Sequence, residues 1–127
     1  MELTENELSS KIIGAAIEVH RNLGPGLLES LYEQALVYEL DKLGLNVRNQ
    51  VEIPVRYKEM LLDKKMRIDI LVNDIVIVEC KATSEFNEIF LTQCYTYLKL
   101  SGLKLGLVIN FGEIPLSKGI HRVVNKL

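Results

Sequence analysis

The chain lacks any run of eighteen consecutive apolar residues, which argues against a membrane-spanning helix. Its opening stretch, MELTENELSS, has neither the basic nor the apolar part of a secretory leader, so none is expected. Cysteine is scarce: Cys80 and Cys94 stand alone, without CxxC or Cys/His spacing. A structural zinc site is therefore not expected, and a reduced, cytoplasmic setting is the simplest reading. Excess positive charge is also missing. A net charge of −2 and a sequence pI near 5.7 argue against strong non-specific polyanion binding through bulk charge. Repeats, linkers and low-complexity segments are absent, so residues 1–127 are expected to form one domain around one core.

What is present is unevenly placed. Arg48, Arg56, Lys58, Lys64, Lys65 and Arg67 crowd the middle of the chain, and Lys118, His121, Arg122 and Lys126 crowd its end. For any one of these a solvated strand edge or terminus is the plainer reading. Thr4 followed by Glu7 is a capping-box pattern and predicts a helix from about Glu5 to Asn22, with Ile12, Ala16, Val19 and Leu23 as its apolar stripe. Gly24-Pro25-Gly26 stops it, and a second helix is predicted from Leu27 to Leu43 before Gly44. The period then changes to alternation in LNVRNQVEIPVRYK, where Pro54 indicates an edge strand or a bulge. A turn at Lys58-Glu59-Met60 leads to KMRIDILV and, after Asn73-Asp74, to IVIVECKA, apolar on both faces as a central strand is. Helical spacing returns in SEFNEIFLTQCYTYLKLSG, then a buried strand in KLGLVINFG, and a tail that reads as a short helix or strand. The order ααβββαβ predicts a single-domain α/β (α+β) fold with a mixed sheet flanked by helices.

Several charged residues do not suit that core. On IVIVECKA, Ile75, Ile77, Glu79 and Lys81 alternate onto one face, with Val76, Val78 and Cys80 on the other. An isolated Glu-x-Lys is usually a surface pair. Here Asp69 sits between Ile68 and Ile70 on the preceding strand, ten residues before Glu79. Two carboxylates with waters suit Mg²⁺, and a nearby lysine suits metal-assisted phosphodiester hydrolysis. The idea constrains the hairpin. A regular two-residue loop at Asn73-Asp74 would set Asp69 opposite Val78 and turn it away from Glu79. A shared ion therefore requires an odd loop or a bulge near Asn73–Ile75. Gln93 interrupts the stripe Phe86, Phe90, Tyr97 and Leu100, and Glu29 heads the stripe Tyr32, Leu36, Leu40 and Leu43, where it is expected to face inward. The hydroxyls of Tyr32 and Tyr97 are expected to bond site carboxylates.

Gly26-Leu27-Leu28-Glu29-Ser30-Leu31-Tyr32 is a GxxExxY pattern. With Asp69, then Glu79-Cys80-Lys81, then Gln93 and Tyr97, the chain resembles the small prokaryotic GxxExxY family of the PD-(D/E)XK nuclease-like superfamily, from about Ile12 to the tail. The resemblance implies a restriction-endonuclease-like core and a Mg²⁺-dependent (or Mn²⁺-dependent) nuclease. It implies that Asp69 and Glu79 bind the ion, that Glu29 completes the metal site, that Lys81 assists the attacking water and that Gln93 supports the site. Two positions depart from the pattern. Ile68 replaces the proline of the superfamily's name, and Phe90-Leu91-Thr92-Gln93 stands where relatives often carry His-Glu-Ala-Gln.

The nuclease reading implies a nucleic-acid substrate, DNA before RNA, and suggests a homodimer because so small a core has little surface for a duplex. The alternative is a catalytically weak or inactive nuclease-fold module that binds nucleic acid or a protein partner. A purely structural role ranks last, since it leaves the polar residues on apolar stripes unexplained.

Overall fold

The computed structural model describes residues 2–127. Helix α1 (Glu5–Leu23) begins at the expected capping box: Thr4 Oγ1 accepts from the Glu7 N–H at 3.2 Å, and the Glu7 carboxylate accepts from the Thr4 N–H at 2.9 Å. Helix α2 runs Glu29–Lys42, starting two residues later than its apolar pattern predicts. Leu28, extended at φ −69° and ψ 147°, is the N-cap, so Leu27 lies outside the helix, where its N–H donates to the Tyr32 hydroxyl.

The five strands β1 (Val47–Tyr57), β2 (Met60–Val72), β3 (Val76–Lys81), β4 (Leu105–Asn110) and β5 (Ile120–Val124) form one sheet in that spatial order. Every pair is antiparallel except β3–β4, whose parallel connection is helix α3 (Ile89–Ser101). The fold is thus α+β with a mixed sheet. The weakly patterned tail contains both expected alternatives in succession, a short 3-10 helix (Leu116–Gly119) and β5. Helices α1 and α2 cover one sheet face through Leu8, Ile12, Val19, Tyr32, Leu36 and Leu40. Helix α3 covers the other through Cys94 and Leu98. It starts five residues later than Ser84, where the periodicity places it, because local side chains satisfy the backbone instead: Asn87 accepts from the Ile89 N–H and Thr83 from the Glu85 N–H. Phe86 is therefore not on the helix and stacks on the His121 ring at 4.3 Å.

Two irregularities position the centre of the sheet. In the β2–β3 hairpin Val72 pairs with Val76, leaving a three-residue connection, Asn73-Asp74-Ile75, with Asn73 and Asp74 left-handed at φ 51° and 59°. Asn46, just before β1, and Arg48 on it pin the loop: Asn73 N–H donates to the Asn46 carbonyl, and Arg48 forms an ion pair with Asp74 at 2.7 Å. Ile75, expected on the Ile77 face, belongs to this loop and packs toward the α1–α2 side. The second irregularity lies at Gln50 and Asp69. Ile68 faces the α3 side, whereas Ile70, two residues on, faces the α1–α2 side. Strand β1 changes face in step, with Val51 toward α3 and Val47 toward α1–α2, and Gln50 between them has φ 52°. Asp69 thus sits where the strand rolls over.

Candidate active site

The odd loop places Asp69 one ladder step beyond the Ile70–Val78 pair, beside Glu79. The two carboxylates bond crosswise. Asp69 Oδ2 accepts from the Cys80 N–H at 2.9 Å, and Glu79 Oε2 accepts from the Asp69 N–H at 3.3 Å. Glu79 is only 6% exposed, and its Oε1 is buried with no hydrogen-bond partner among the described residues. Burial pushes the Glu79 carboxyl up to about 9; the neighbouring Asp69 charge adds to this, against a smaller lowering by Lys81. An orphaned carboxylate oxygen beside a second carboxylate is an acceptor set that a divalent cation satisfies. The Asp69–Glu79 pair therefore fits an ion with water filling the remaining positions.

The other expected residues are placed less uniformly. Lys81 follows Glu79 on the same strand face, half-buried, with Nζ 4.4 Å from the centre of the Phe90 ring. Glu29 is the first residue of α2 and is exposed rather than inward-facing. Among the described residues no three His, Cys, Asp or Glu side chains converge tightly enough to share an ion, so Glu29 does not join Asp69 and Glu79 in a set of three. Its charge nonetheless reaches the site. Burial first, then the charges of Asp69, Glu33, Glu79 and Glu29, push the Cys80 thiol well up, so all four carboxylates act on one buried sulfur. Cys80 itself faces the α1–α2 core, as its alternation predicts. Gln93 is exposed on α3, one turn before Tyr97, and the buried line of that helix runs instead through Cys94 and Leu98. The Tyr97 hydroxyl is pushed up by burial and then by Glu79 and Asp69, which sets it near the carboxylates.

Tyr32 does something other than bond a carboxylate. Its hydroxyl donates to the Gly24 carbonyl and accepts from the Leu27 N–H at 3.1 Å, while its ring stacks on Phe111 at 4.6 Å. Gly24 and Gly26 take φ of 70° and 101°, a conformation that favours glycine. The Gly and Tyr of the GxxExxY pattern thus build and clamp one turn, and that turn sets where the Glu29 end of α2 meets the sheet.

Two residues escaped the sequence reading. Glu33 is half-buried, and its carboxyl is raised by burial and by the Asp69 and Glu29 charges, against the lowering contacts of Gln50 and Asn49. Gln50 Nε2 donates to both its oxygens, at 3.0 and 2.8 Å. Its signal was the four-residue spacing from Glu29, which puts both acids on one helix face. Asn110 is fully buried at the end of β4. It exchanges two hydrogen bonds with the Thr83 backbone and accepts a third from the Gly112 N–H, tying down the segment that leaves Lys81. Its signal was a lone amide closing an apolar strand. A concavity of about 640 Å³, lined by Lys11, Leu43, Asn46, Asn73 and Ile75, lies at the opposite end of β3 and holds none of these groups.

Two carboxylates facing each other at the end of a central hairpin, with a lysine two residues on and helices over both sheet faces, define a nuclease-like core. A family model described as the PD-(D/E)XK nuclease superfamily matches residues 6–123, and the chain belongs to that superfamily. No curated protein and no solved structure matches the chain.

Proposed function

We propose that the protein is a Mg²⁺- or Mn²⁺-dependent nuclease of the GxxExxY group, acting on DNA in preference to RNA. The observation that carries this reading is the buried, partnerless Glu79 Oε1 beside Asp69. In it, Asp69 and Glu79 would hold the ion, and Glu29 and Glu33 would add negative charge around it. A divalent ion held there would supply Lewis-acid chemistry for phosphodiester hydrolysis. Lys81 orients the attacking water and offsets charge on the phosphate oxygens. The water oxygen bonds to phosphorus as the bond to the leaving deoxyribose oxygen breaks, and a proton from that water ends on the leaving oxygen. Gln93 supports the site from α3. The protein works in the cytoplasm, and a homodimer supplies surface that one core lacks.

The test is cleavage of single- and double-stranded DNA and RNA with Mg²⁺ or Mn²⁺. Wild type is expected to cleave, with Asp69→Ala and Lys81→Ala losing activity by ~10²-fold or more. Activity on no substrate above those two variants would defeat the proposal. One observation favours a catalytically silent binding module instead: Lys81 lies on Phe90 and forms no ion pair with Asp69 or Glu79 among the described residues. Calorimetry with Mg²⁺ and Mn²⁺ in the presence of duplex separates the two readings, because the module has no need of metal.

A further inference from the structure

The sheet carries an element the carboxylate site does not use. Beyond Val55 on β1 and Met66 on β2, no residue of the hairpin belongs to either core, and residues 56–65 are all exposed. Met60 lies nine residues before Asp69 on β2, so this two-stranded arm extends about 30 Å from the carboxylates at ~3.3 Å per residue. Its charge is set apart from the rest of the molecule. Residues 54–67 hold five cations and two acids, a net +3 in a chain of net −2, which leaves −5 on everything else. Lys58, Lys64, Lys65 and Arg67 form no ion pair among the described residues. Lys65 and Arg67 alternate onto the strand face that buried Met66 and Ile68 do not use, and Arg67 stands two residues from Asp69. Lys65 and Arg67 therefore form a short row that leads toward the site, while Lys64 lies on the opposite face and Lys58 at the tip.

The tip is unusual in two further respects. Tyr57, Met60 and Leu61 are 61%, 62% and 56% exposed, apolar surface that the fold does not cover. The turn joins Tyr57 to Met60 through Lys58 and Glu59, with Lys58 at φ 52°. A two-residue hairpin with a positive φ at its first position favours glycine there, and a lysine in that conformation is strained. The chain thus keeps a cation at the tip at the expense of local stability, with its ammonium 5.4 Å from the centre of the Tyr57 ring.

We propose that the β1–β2 arm is a duplex-DNA grip that lies in the major groove, with Lys58, Lys64, Lys65 and Arg67 on phosphates and Tyr57, Met60 and Leu61 against base edges. This rests on the nucleic-acid reading of the Asp69–Glu79 site and adds the form of the substrate and the surface that holds it. Charge complementarity identifies the occupant: a projecting element of net +3, in a chain of net −2, suits a polyanion. Geometry identifies the form. A two-stranded ribbon enters the B-form major groove of ~12 Å, whereas the A-form groove of duplex RNA is too narrow.

The test measures binding of the full chain to a fluorescent DNA duplex, an RNA duplex and single-stranded DNA in EDTA across a salt series, beside cleavage in Mg²⁺. Lys58→Gly removes the cation and relieves the turn. It is expected to melt no lower than wild type yet bind duplex DNA several-fold more weakly. The variant Lys58→Gly, Lys64→Ala, Lys65→Ala is expected to lose ~30-fold or more and to flatten the slope of log K against log salt by about 2 to 3, at ~0.9 per lost phosphate contact. Unchanged affinity and slope in the triple variant would overturn the proposal, as would equal affinity of wild type for all three nucleic acids. So would a variant that binds duplex normally but dissolves a dimer, which assigns the arm to self-association. If wild type cleaves but these variants bind normally, the arm fails and the nuclease reading stands. If nothing is cleaved but the variants lose duplex binding, the reverse holds.

Discussion

Glu79 yields a prediction that separates a metal site from a structural carboxyl. Its carboxyl is held at about 9 by burial and by Asp69, so near pH 7 the metal-free protein keeps it protonated. A cation binds the ionised form, so each Mg²⁺ bound near neutral pH is expected to release about one proton, and apparent affinity is expected to rise about tenfold per pH unit below 9. Calorimetric titration in buffers of different ionisation enthalpy reads the proton directly, and Glu79→Gln should abolish it. The same group sets the sign of metal-free stability. Unfolded, Glu79 ionises near its ordinary 4.5; folded, it holds its proton to about 9. Between those values the folded state binds the extra proton, so stability is full below 4.5 and falls as pH rises toward 9. At ~1.4 kcal/mol per unit the loss by pH 8 is as much as ~5 kcal/mol. Glu79→Gln, which has no carboxyl to ionise, is therefore expected to be more stable than wild type in EDTA at pH 8, and less active. Tight Mg²⁺ binding with no buffer-dependent heat, together with affinity flat from about pH 6 to 8, would refute the reasoning.

Tyr32→Phe leaves the Gly24 carbonyl and the Leu27 N–H without their shared partner, and urea unfolding is expected to show a loss of ~1–3 kcal/mol. Because the freed turn begins α2, the same variant should also weaken Mg²⁺ binding, whereas a core defect elsewhere would lower stability alone. Gly106→Ala would set its Cβ 2.4 Å from Cys94 Sγ, an overpacking expected to destabilise by ~1–3 kcal/mol. Adding Cys94→Ala should recover most of that loss, and additive effects of the two changes in thermal melts would exclude the contact.

The sequence showed those features that depend on period and neighbours. Alternation on β3 placed Glu79 and Lys81 together, and the requirement for a common face predicted the odd hairpin that the Val72–Val76 pair forms. The α3 start was missed because Thr83 and Asn87 satisfy nearby backbone N–H groups, which hydropathy does not register. Glu29 was expected inward because its stripe is apolar, but that stripe is buried only from Tyr32 to Leu40, and the first residue of α2 stays exposed. Glu33 was overlooked for the converse reason. Its burial comes from β1, through Gln50, and only the folded chain brings those two segments together.

The three-residue Asn73–Ile75 connection also bears on how such a chain can vary over time. Substitution there leaves the facing of Asp69 and Glu79 intact, whereas loss or gain of a single residue would turn one of them to the far side of the sheet. Selection on this hairpin acts on an odd count rather than on particular letters. Two descendants sharing few residues can therefore both keep the site, while one differing by a lone deletion needs a compensating bulge to recover it.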